Sequence, residues 1–308
     1  MHSKSNSSSL AEKAPIAVCI VTRNRPDLLR RAIESTLAAR PSPSEVVVGD
    51  DSDDPVIAKK LCEDFANSQT RVAIRYVRGP QRGLSANRNR AVAASTQPWL
   101  LFIDDDAGLF EDSLAGIESM LQQPTIIVTG TEYNGTAKVR RVTPLDADFW
   151  GIQRVVPSLD KVRSIVINAT IFPRQVFKRA RFDEELLYGS DEIDICRHAI
   201  WLGFDVRFMP SFRTWHRPDS KDRSEHADRL IRSNIYATLK SKILFERAYV
   251  SALLFAFAAP AKTIGHRIKR SGRSTSGGFW RALDPLPFLK GFAGLRNINR
   301  WRVPALQA

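Results

Sequence analysis

Four short apolar runs, each ended by polar residues, recur along the first hundred residues of the chain. They are Ile16–Val21, Glu45–Gly49, Val72–Val77 and Trp99–Ile103. Runs of this length predict buried parallel strands, and the segments between them repeat their apolar residues at helical spacing. This alternation of strand and helix predicts an α/β fold with a doubly wound, mainly parallel sheet.

The pattern becomes less regular after the fourth run. Ile126–Gly130, Ser164–Phe172 and Val206–Phe208 are predicted strands, and a helix ending at Gly203 precedes the last of them. After about residue 226 the chain changes character. Residues 229–245 alternate basic and apolar positions at helical spacing, and the apolar run after them is shorter than the roughly 20 residues that span a bilayer.

These changes divide the chain into three parts. We expect a disordered tail over residues 1–13, a globular α/β domain over 14–226, and a helical basic region over 227–308. The three cysteines, Cys19, Cys62 and Cys196, have no metal-ligand or disulfide spacing, which favours a reducing cytoplasm.

The net charge of +13 is concentrated near the end of the chain. From residue 260 onward ten basic residues face a single acid, Asp284, which is a local charge of +9. The basic residues are Lys262, Arg267, Lys269, Arg270, Arg273, Arg281, Lys290, Arg296, Arg300 and Arg302. Such a patch favours an anionic partner: a membrane surface, a nucleic acid or a phosphorylated substrate.

Three acids follow the fourth predicted strand directly. Adjacent carboxylates repel one another unless a cation or strong donors compensate, and Asp104 and Asp106 point the same way in an extended chain. One or two carboxylates together with substrate phosphates are the usual ligands of Mg²⁺. The alternative interpretation is a solvated acidic turn before a helix, so Asp104, Asp105 and Asp106 alone leave both readings open.

Other polar clusters fall at the same edge of the predicted sheet, where ligands bind in folds of this kind. Asp50 and Asp51 follow the second strand and suit either an Asx turn or contact with a base or ribose. Arg88 and Arg90 lie near a helix start, where arginine pairs with phosphate unless it is simply a solvated face. The cluster after the first strand consists of Thr22, Arg23, Asn24 and Arg25. No GxGxxG or GxxxxGK[ST] motif is present, which disfavours a dinucleotide cofactor and a P-loop nucleoside triphosphatase.

Taken in order, the motifs resemble the inverting glycosyltransferase family 2, which has the GT-A fold. The resemblance rests on IVTRNRP, EVVVGDDSD, GLSANRNRAVA, WLLFIDDD, the segment Asn168–Phe172, FDEELLYGSDEIDICRHAIWLGF and His216. It covers roughly residues 15 to 217. It implies a GT-A glycosyltransferase domain over residues 14–226.

The resemblance also implies roles for the clusters. Asp50 or Asp51 would contact the nucleotide base or ribose, and Arg88 would lie near the phosphates. Asp104, Asp105 and Asp106 would bind a divalent metal, Mg²⁺ or Mn²⁺, and the diphosphate. His216 stands where several relatives have a histidine that contacts metal or diphosphate.

One departure concerns the acid pair from which the family draws its general base. The family has Glu-Asp before the helix, whereas this chain has Asp191-Glu192, so Asp191 matches the family Glu and Glu192 the family Asp. We expect Asp191 to serve, because loop movement can bring the shorter side chain to the acceptor. A purely structural reading is that Ser190 caps the helix and acids occupy its first turn, although a helix N-terminus lowers a carboxyl pKa and weakens a base.

The resulting hypothesis is transfer of a sugar from a nucleotide diphosphate, most often a UDP-sugar in this family, to a saccharide or lipid-linked acceptor in cell-surface polysaccharide synthesis. The basic C-terminal region carries Phe279, Trp280, Phe288, Phe292 and Trp301 among its lysines and arginines. This composition suits a cytoplasmic protein that binds the inner face of the membrane, or a helical appendage with a solvated basic face. The rival hypotheses are a nucleic-acid-binding protein, which the acids at the sheet edge disfavour, a nucleotidyltransferase, and a catalytically dead relative.

Overall fold

The computed structural model describes residues 13–160, 162–218, 227–271, 286–296 and 301. The expected tail therefore lies outside the described residues, except that Lys13 already belongs to the first strand. The helices are α1 Pro26–Ala38, α2 Val56–Ser68, α3 Leu84–Ala94, α4 Glu118–Leu121, α5 Gln175–Arg179, α6 Asp191–Trp201, α7 Ala227–Lys240, α8 Tyr249–Ser271 and α9 Leu286–Gly294. A π-helical turn, Ser241–Phe245, joins α7 to the segment before α8.

The strands form one large mixed sheet and one small hairpin. They are β1 Lys13–Thr22, β2 Ser42–Asp50, β3 Ala73–Arg78, β4 Trp99–Asp104, β5 Ala107–Leu109, β6 Ile126–Asn134, β7 Arg140–Val142, β8 Leu145–Ala147, β9 Gln153–Val155, β10 Thr170–Pro173 and β11 Asp205–His216. The large sheet has the order β3-β2-β1-β4-β10-β6-β11-β5, with β7 beside β6, and β8 pairs with β9. The four longest ladders are parallel, which confirms the predicted α/β fold with a mainly parallel sheet.

Alternate residues of the central strands enter two cores on opposite faces of the sheet. Ile16, Val18 and Ile20 of β1 face the core that contains α1 and α2, whereas Ala17 and Cys19 face the core on the α3 and α6 side. A strand buried on both faces can be apolar at every position, which explains the continuous run in the sequence.

Two predicted strands differ from the structure. Residues 164–172 were expected to be extended throughout, but only β10 is a strand and a 3-10 turn, Ile167–Ala169, precedes it. Conversely, β11 is twelve residues long and runs past Pro210. Its register against β6 shifts between Phe208 and Arg213, so the irregularity accommodates a residue that has no N–H to donate.

The described part of the C-terminal region packs against α6 and the loop before it through buried ionic contacts, and it has a small apolar core of its own. Lys240 of α7 is fully buried and donates to Asp183 and Asp194, each at 2.8 Å. Ile235, Leu239 and Phe255 form a small core between α7 and α8. Within the described residues, no helix combines the length and apolar character needed to cross a bilayer. Phe279 and Trp280, which entered the membrane hypothesis, lie outside the described residues.

Candidate active site

A cavity of about 380 Å³ opens at the carboxyl edge of β1, β2 and β4. Parallel strands bring their polar termini to one edge, and three of the predicted clusters therefore meet in its wall. The wall contains Thr22, Arg23 and Arg25 from the first cluster, Asp51 from the second, and the acids that follow β4. His216 completes the polar side of the cavity.

Asp104, Asp106 and His216 form a group that fits a divalent cation. One ligand atom from each side chain lies within 4.8 Å of the others. The fold explains this proximity, because β11 runs antiparallel to β5 and its last residue, His216, pairs with Ala107 directly after the acids. Two carboxylates and an imidazole are a donor set that accepts Mn²⁺ or Mg²⁺ when substrate phosphates supply further oxygens.

The imidazole of His216 lies between two carboxylates. Its Nε2 is 3.2 Å from Asp106 Oδ1, and its Nδ1 is 3.2 Å from Glu132 Oε1. Burial lowers the pKa of His216, but the hydrogen bonds to Asp106 and Glu132 outweigh burial and raise that pKa to about 10. A cation that binds Nε2 must displace a proton, and Glu132 then holds Nδ1–H and fixes the orientation of the ring.

Asp105 turns toward the loop after β1. Thr22 Oγ1 donates a hydrogen bond to its carboxylate at 2.8 Å, and Arg25 Nη1 lies 3.4 Å from it and 3.7 Å from Asp106. Burial raises the pKa of Asp105 to about 7 against the opposing effects of Thr22 and Arg25. Arg25 is partly exposed in the cavity wall, so its guanidinium neutralises the acids and can still face a ligand phosphate.

The two acids that follow β2 face different ways. Asp50 is fully buried, accepts a hydrogen bond from the Tyr76 hydroxyl at 3.0 Å, and is not part of the cavity wall. Asp51 lines the cavity and accepts a hydrogen bond from the backbone N–H of Gln81 at 2.8 Å. Burial raises its pKa. Of the two alternatives that the sequence left open, the geometry therefore favours Asp51 for contact with a base or ribose.

Arg23 and Asn24 brace the neighbouring loop. Arg23 is exposed and lies 3.3 Å from Asp53, whereas Asn24 exchanges hydrogen bonds with Asp53 and does not line the cavity. Asn24 has φ of +57°, a left-handed conformation that asparagine tolerates better than most residues. Of the pair, only Arg23 has access to a ligand in this cavity.

Arg88 lies beneath the cavity and not in its wall. Its side chain is 1% exposed, its Nη2 donates to Asp104 at 2.8 Å, and its Nη1 donates to Asp191. The expected contact with substrate phosphates has no support in this geometry, because two carboxylates already occupy the guanidinium. Arg88 instead joins the metal-type acids to the acid pair at the start of α6.

The two acids at the start of α6, Asp191 and Glu192, have different surroundings. Asp191 is buried in its ion pair with Arg88, so its carboxyl group already has a counter-charge. Glu192 accepts a hydrogen bond from Gln153 at 3.0 Å, and burial together with the charge of Asp191 raises its pKa to about 8. A base that competes for a proton near neutral pH fits Glu192 better than Asp191, contrary to the choice made from the sequence. Ser190 occupies the N-cap position and acids occupy the first turn of α6, as the structural reading expected, although Ser190 has φ of +65° and makes no side-chain capping hydrogen bond.

Four further residues of the site were not expected from the sequence. Asn168 donates to Glu132 and accepts from the backbone N–H of Asp104, each at 2.9 Å, so it holds the metal-type acids and the partner of His216 together. Tyr188 and Arg229 enter the cavity wall from the loop before α6 and from α7. Asn168 and Tyr188 lie within segments that carry the family resemblance, whereas no local pattern marks Glu132 or Arg229.

Fold and site together define a glycosyltransferase of the GT-A type. Residues 17–180, more than half of the chain, match the family described as "Glycosyl transferase family 2". The chain therefore belongs to glycosyltransferase family 2.

Two curated proteins illustrate its relatives. The succinoglycan biosynthesis protein ExoU of Rhizobium meliloti (strain 1021) is 34% identical over 110 residues, which are 34% of this chain and 31% of ExoU. The pre-mycofactocin glycosyltransferase of Mycobacterium tuberculosis is 27% identical over 202 residues, which are 63% of this chain and 41% of that protein. The matches thus span less than half the length of these relatives.

Solved structures agree on the fold. GalNAc-T7 with UDP, GalNAc and Mn²⁺ has a TM-score of 0.60 over 92% of this chain and 55% of its own. The mannosyltransferase PcManGT of Pyrobaculum calidifontis with GDP-Man and Mn²⁺ has a TM-score of 0.59 over 94% of this chain and 88% of its own. Both are 14% identical to this chain, so their likeness establishes the GT-A fold alone.

Proposed function

We propose that the protein is an inverting, metal-dependent glycosyltransferase that moves a sugar from a nucleotide diphosphate to a hydroxyl group of a saccharide or lipid-linked acceptor. The observation that carries the proposal is the group of Asp104, Asp106 and His216, whose ligand atoms lie within 4.8 Å of one another in the wall of a 380 Å³ cavity. Family membership supplies the reaction class, and the cavity supplies the place for the donor.

Asp104, Asp106 and His216 would hold the cation. A bound Mg²⁺ or Mn²⁺ would supply Lewis-acid stabilisation of the negative charge on the leaving diphosphate. The residues fit this group because an excess of carboxylate at the site calls for a positive charge. The structural neighbours GalNAc-T7 and PcManGT contain Mn²⁺ with UDP and GDP-Man respectively, which supports the same type of site here.

The remaining walls would bind the donor. Asp51 would accept hydrogen bonds from the base or ribose, and Arg25, with Arg229 from α7, would face the phosphates. We infer that the donor is a UDP-sugar, because UDP-sugars are the most common donors in this family. The structural neighbours include both a UDP and a GDP-Man complex. Asp105 contributes by fixing Thr22 and Arg25 and so shaping this wall.

Glu192 would act as the general base. Its carboxylate removes the proton from an acceptor hydroxyl, and the freed oxygen pair forms a bond to the anomeric carbon from the face opposite the phosphate. The bond from that carbon to the phosphate oxygen breaks, and its electron pair leaves with the diphosphate. A single displacement of this kind inverts the anomeric configuration. Asp191, held by Arg88, keeps α6 anchored to the metal-type acids while Glu192 reacts.

Cell-surface polysaccharide synthesis on the inner face of the cell membrane is the setting we propose. The name of ExoU supports the pathway class. One face of α8 exposes Tyr249, Val250, Leu253, Leu254 and Phe257, each between 58% and 77% exposed, while Ala252, Phe255 and Ala259 bury its other face. The buried face packs on the protein, and the exposed apolar face is suited to insertion into a lipid interface. The basic end of the chain suits anionic headgroups.

Calorimetry with three nucleoside diphosphates and one monophosphate tests the donor site. UDP, GDP, dTDP and CMP are titrated into the wild type and into Asp106→Ala, each with and without Mn²⁺. We expect Mn²⁺-dependent binding of one nucleotide, at least about tenfold weaker in the variant, since ligands to the metal matter at least as much as the residues behind them.

Asp64→Ala is the matched control, because Asp64 is an exposed acid on α2 outside the cavity wall and the variant should bind as the wild type does. Failure of every nucleotide to bind, with or without Mn²⁺, contradicts the proposal. Mn²⁺-dependent binding that Asp106→Ala leaves unchanged contradicts the assignment of the metal site.

A further inference from the structure

A second cavity lies on the other side of the acid pair. It has a volume of about 150 Å³ and is bounded by the β8–β9 hairpin, by α6 and by the junction of α7 with the π-helical turn. At about 30 Å³ for each water molecule this is room for roughly five waters, which suits one small ring and not an extended ligand. None of the roles proposed above uses this cavity.

Arg197 in its wall has unused hydrogen-bonding capacity. The residue is 4% exposed and lies on α6, and its Nη2 donates to Asp146. Among the described residues, its Nε and Nη1 have no hydrogen-bond partner, and Nη1 is 3.9 Å from the carboxylate of Glu246. Buried guanidinium donors without partners are costly, so this cavity has a ready use for a ligand with acceptor oxygens.

The charge of the wall indicates what kind of ligand that is. Asp146, Asp148 and Glu246 stand beside Arg163, Arg197 and Lys242, and the hydroxyls of Ser190, Thr238 and Ser241 lie between them. Three acids balance three bases, so a free anion would meet as much repulsion as attraction. A neutral polyol satisfies such a wall, because each of its hydroxyls can donate to a carboxylate and accept from a guanidinium or ammonium group.

Phe149 adds an apolar surface to the same wall. It is 37% exposed, and the ammonium group of Lys242 lies 4.8 Å from its ring centroid. A pyranose has apolar C–H groups on its ring faces and hydroxyls around its edge. Phe149 and the surrounding polar groups match these two parts of a sugar ring.

The position of the cavity relates it to the reaction. Tyr188 lines the donor cavity and Ser190 lines the second cavity, and Asp191 and Glu192 follow Ser190 directly. Gln153, which holds Glu192 at 3.0 Å, belongs to the hairpin that walls the second cavity. The segment that carries the proposed base therefore separates the two cavities.

We propose that the second cavity binds a neutral sugar ring of the acceptor, next to the ring whose hydroxyl reacts, because the segment of the acid pair stands between this cavity and the donor cavity. This inference rests on the proposed function for the role of the sugar, while the binding itself is measurable without turnover. Arg197 is the residue that would select for the hydroxyl pattern of that ring.

Saturation-transfer NMR on the full chain tests the proposal with glucose, galactose, mannose and N-acetylglucosamine as probes, and line broadening in the phosphorus NMR spectrum follows inorganic phosphate as the anionic counter-probe. The decisive variant is Ala147→Trp, because Ala147 lines the cavity and an indole there fills it without removing any charged partner. Arg197→Met, which removes the unpaired donors, is the second variant. Ala115→Trp is the matched control, since Ala115 is exposed and lines neither cavity.

We expect at least one of the sugars to bind the wild type and Ala115→Trp, and to bind Ala147→Trp and Arg197→Met about tenfold more weakly or not at all. Sugar binding that Ala147→Trp leaves unchanged overturns the proposal. So does a wild type that binds none of the four sugars, or one that binds phosphate in their place. Metal-dependent nucleotide binding is recorded on the same samples, so loss of the donor site is distinguished from loss of the sugar site.

Discussion

Replacing Lys240 by methionine should strongly destabilise the protein. Lys240 is the cation of a fully buried ionic cluster, with its Nζ 2.8 Å from both Asp183 and Asp194 and 3.7 Å from the ring centroid of Trp301. Methionine preserves most of the side-chain volume but removes the cation that both buried carboxylates contact. Removal of one partner from a buried ion pair costs about 3–5 kcal/mol of unfolding free energy.

The magnitude can be carried to a melting temperature. For domains of this size each kcal/mol lowers the midpoint by roughly 2 °C or slightly more, so we expect a fall of about 6–10 °C. Part of the cost is relieved by the Tyr236 hydroxyl, which still donates to Asp183 at 2.6 Å. Scanning calorimetry or circular dichroism near pH 7 measures the shift.

The effect also has a defined pH dependence. Burial raises the pKa of Asp194 to about 6 even with Lys240 beside it. At Asp183, burial also raises the pKa, but Lys240 together with hydrogen bonds from Tyr236 and the backbone of Glu185 outweighs burial and lowers it. In the variant both folded-state pKa values rise above the ordinary value of about 3.9. Stability is then lost as the pH rises from the unfolded-state pKa through those raised values, so the deficit of the variant should grow as the pH rises above about 4.

Lys59→Met provides the matched control. Lys59 is 60% exposed and lies 3.9 Å from Glu63 on α2, and exposed pairs of this kind contribute less than about 1 kcal/mol. If Lys240→Met melts within about 2 °C of Lys59→Met, or if its deficit shrinks as the pH rises, the assignment of Lys240 as the ionic anchor of α7 is wrong.

The remaining predictions concern the base and the membrane. Because the carboxylate of Glu192 is the reactive form and its pKa is about 8, kcat/KM should rise about tenfold per pH unit up to that value. Glu192→Gln should lower kcat by about 10²–10⁴ and abolish the rise of kcat/KM with pH, whereas Glu192→Asp should retain that rise. If Asp191→Asn abolishes the rise and Glu192→Gln does not, the assignment of the base is reversed. Phe257→Glu should abolish co-sedimentation with vesicles that contain an anionic lipid. Ile57→Glu is the control and should bind normally, because Ile57 is an apolar residue on α2 that is 59% exposed. Equal binding by both variants would show that α8 is not the membrane face.

The parallel half of the fold was predictable because its signals are local. β1 and β4 are buried on both faces and therefore read as continuous apolar runs, and the polar residues after them mark the carboxyl edge. The other half was less predictable. β5 and β7 are three residues long, and β11 shifts its register against β6 around Pro210, so their pairing depends on contacts far apart in the sequence.

The same division applies to the site. Asp104, Asp106 and His216 were expected together, from the acids after a strand and from the family resemblance, and the structure brings them into one group. The burial of Arg88 and the orientation of Asp51 into the cavity were not predictable, because a pattern of residue types does not report which way a side chain faces. Lys240 looked like one basic residue among many in an amphipathic segment, yet it is fully buried.

The exchanged order of Asp191 and Glu192 has a structural explanation in Arg88. The guanidinium is fixed beneath the sheet edge by Asp104, so the first carboxylate of α6 is the one that pairs with it. Because Asp191 is held in that ion pair, we propose the longer Glu192 as the base, and the hairpin residue Gln153 donates a hydrogen bond to it. Burial next to the charge of Asp191 then raises the pKa of Glu192 and offsets the acidifying influence of the helix N-terminus. The exchanged order is therefore compatible with Glu192 acting as the base, because the negative charge of Asp191 beside it is one of the causes that raise its pKa.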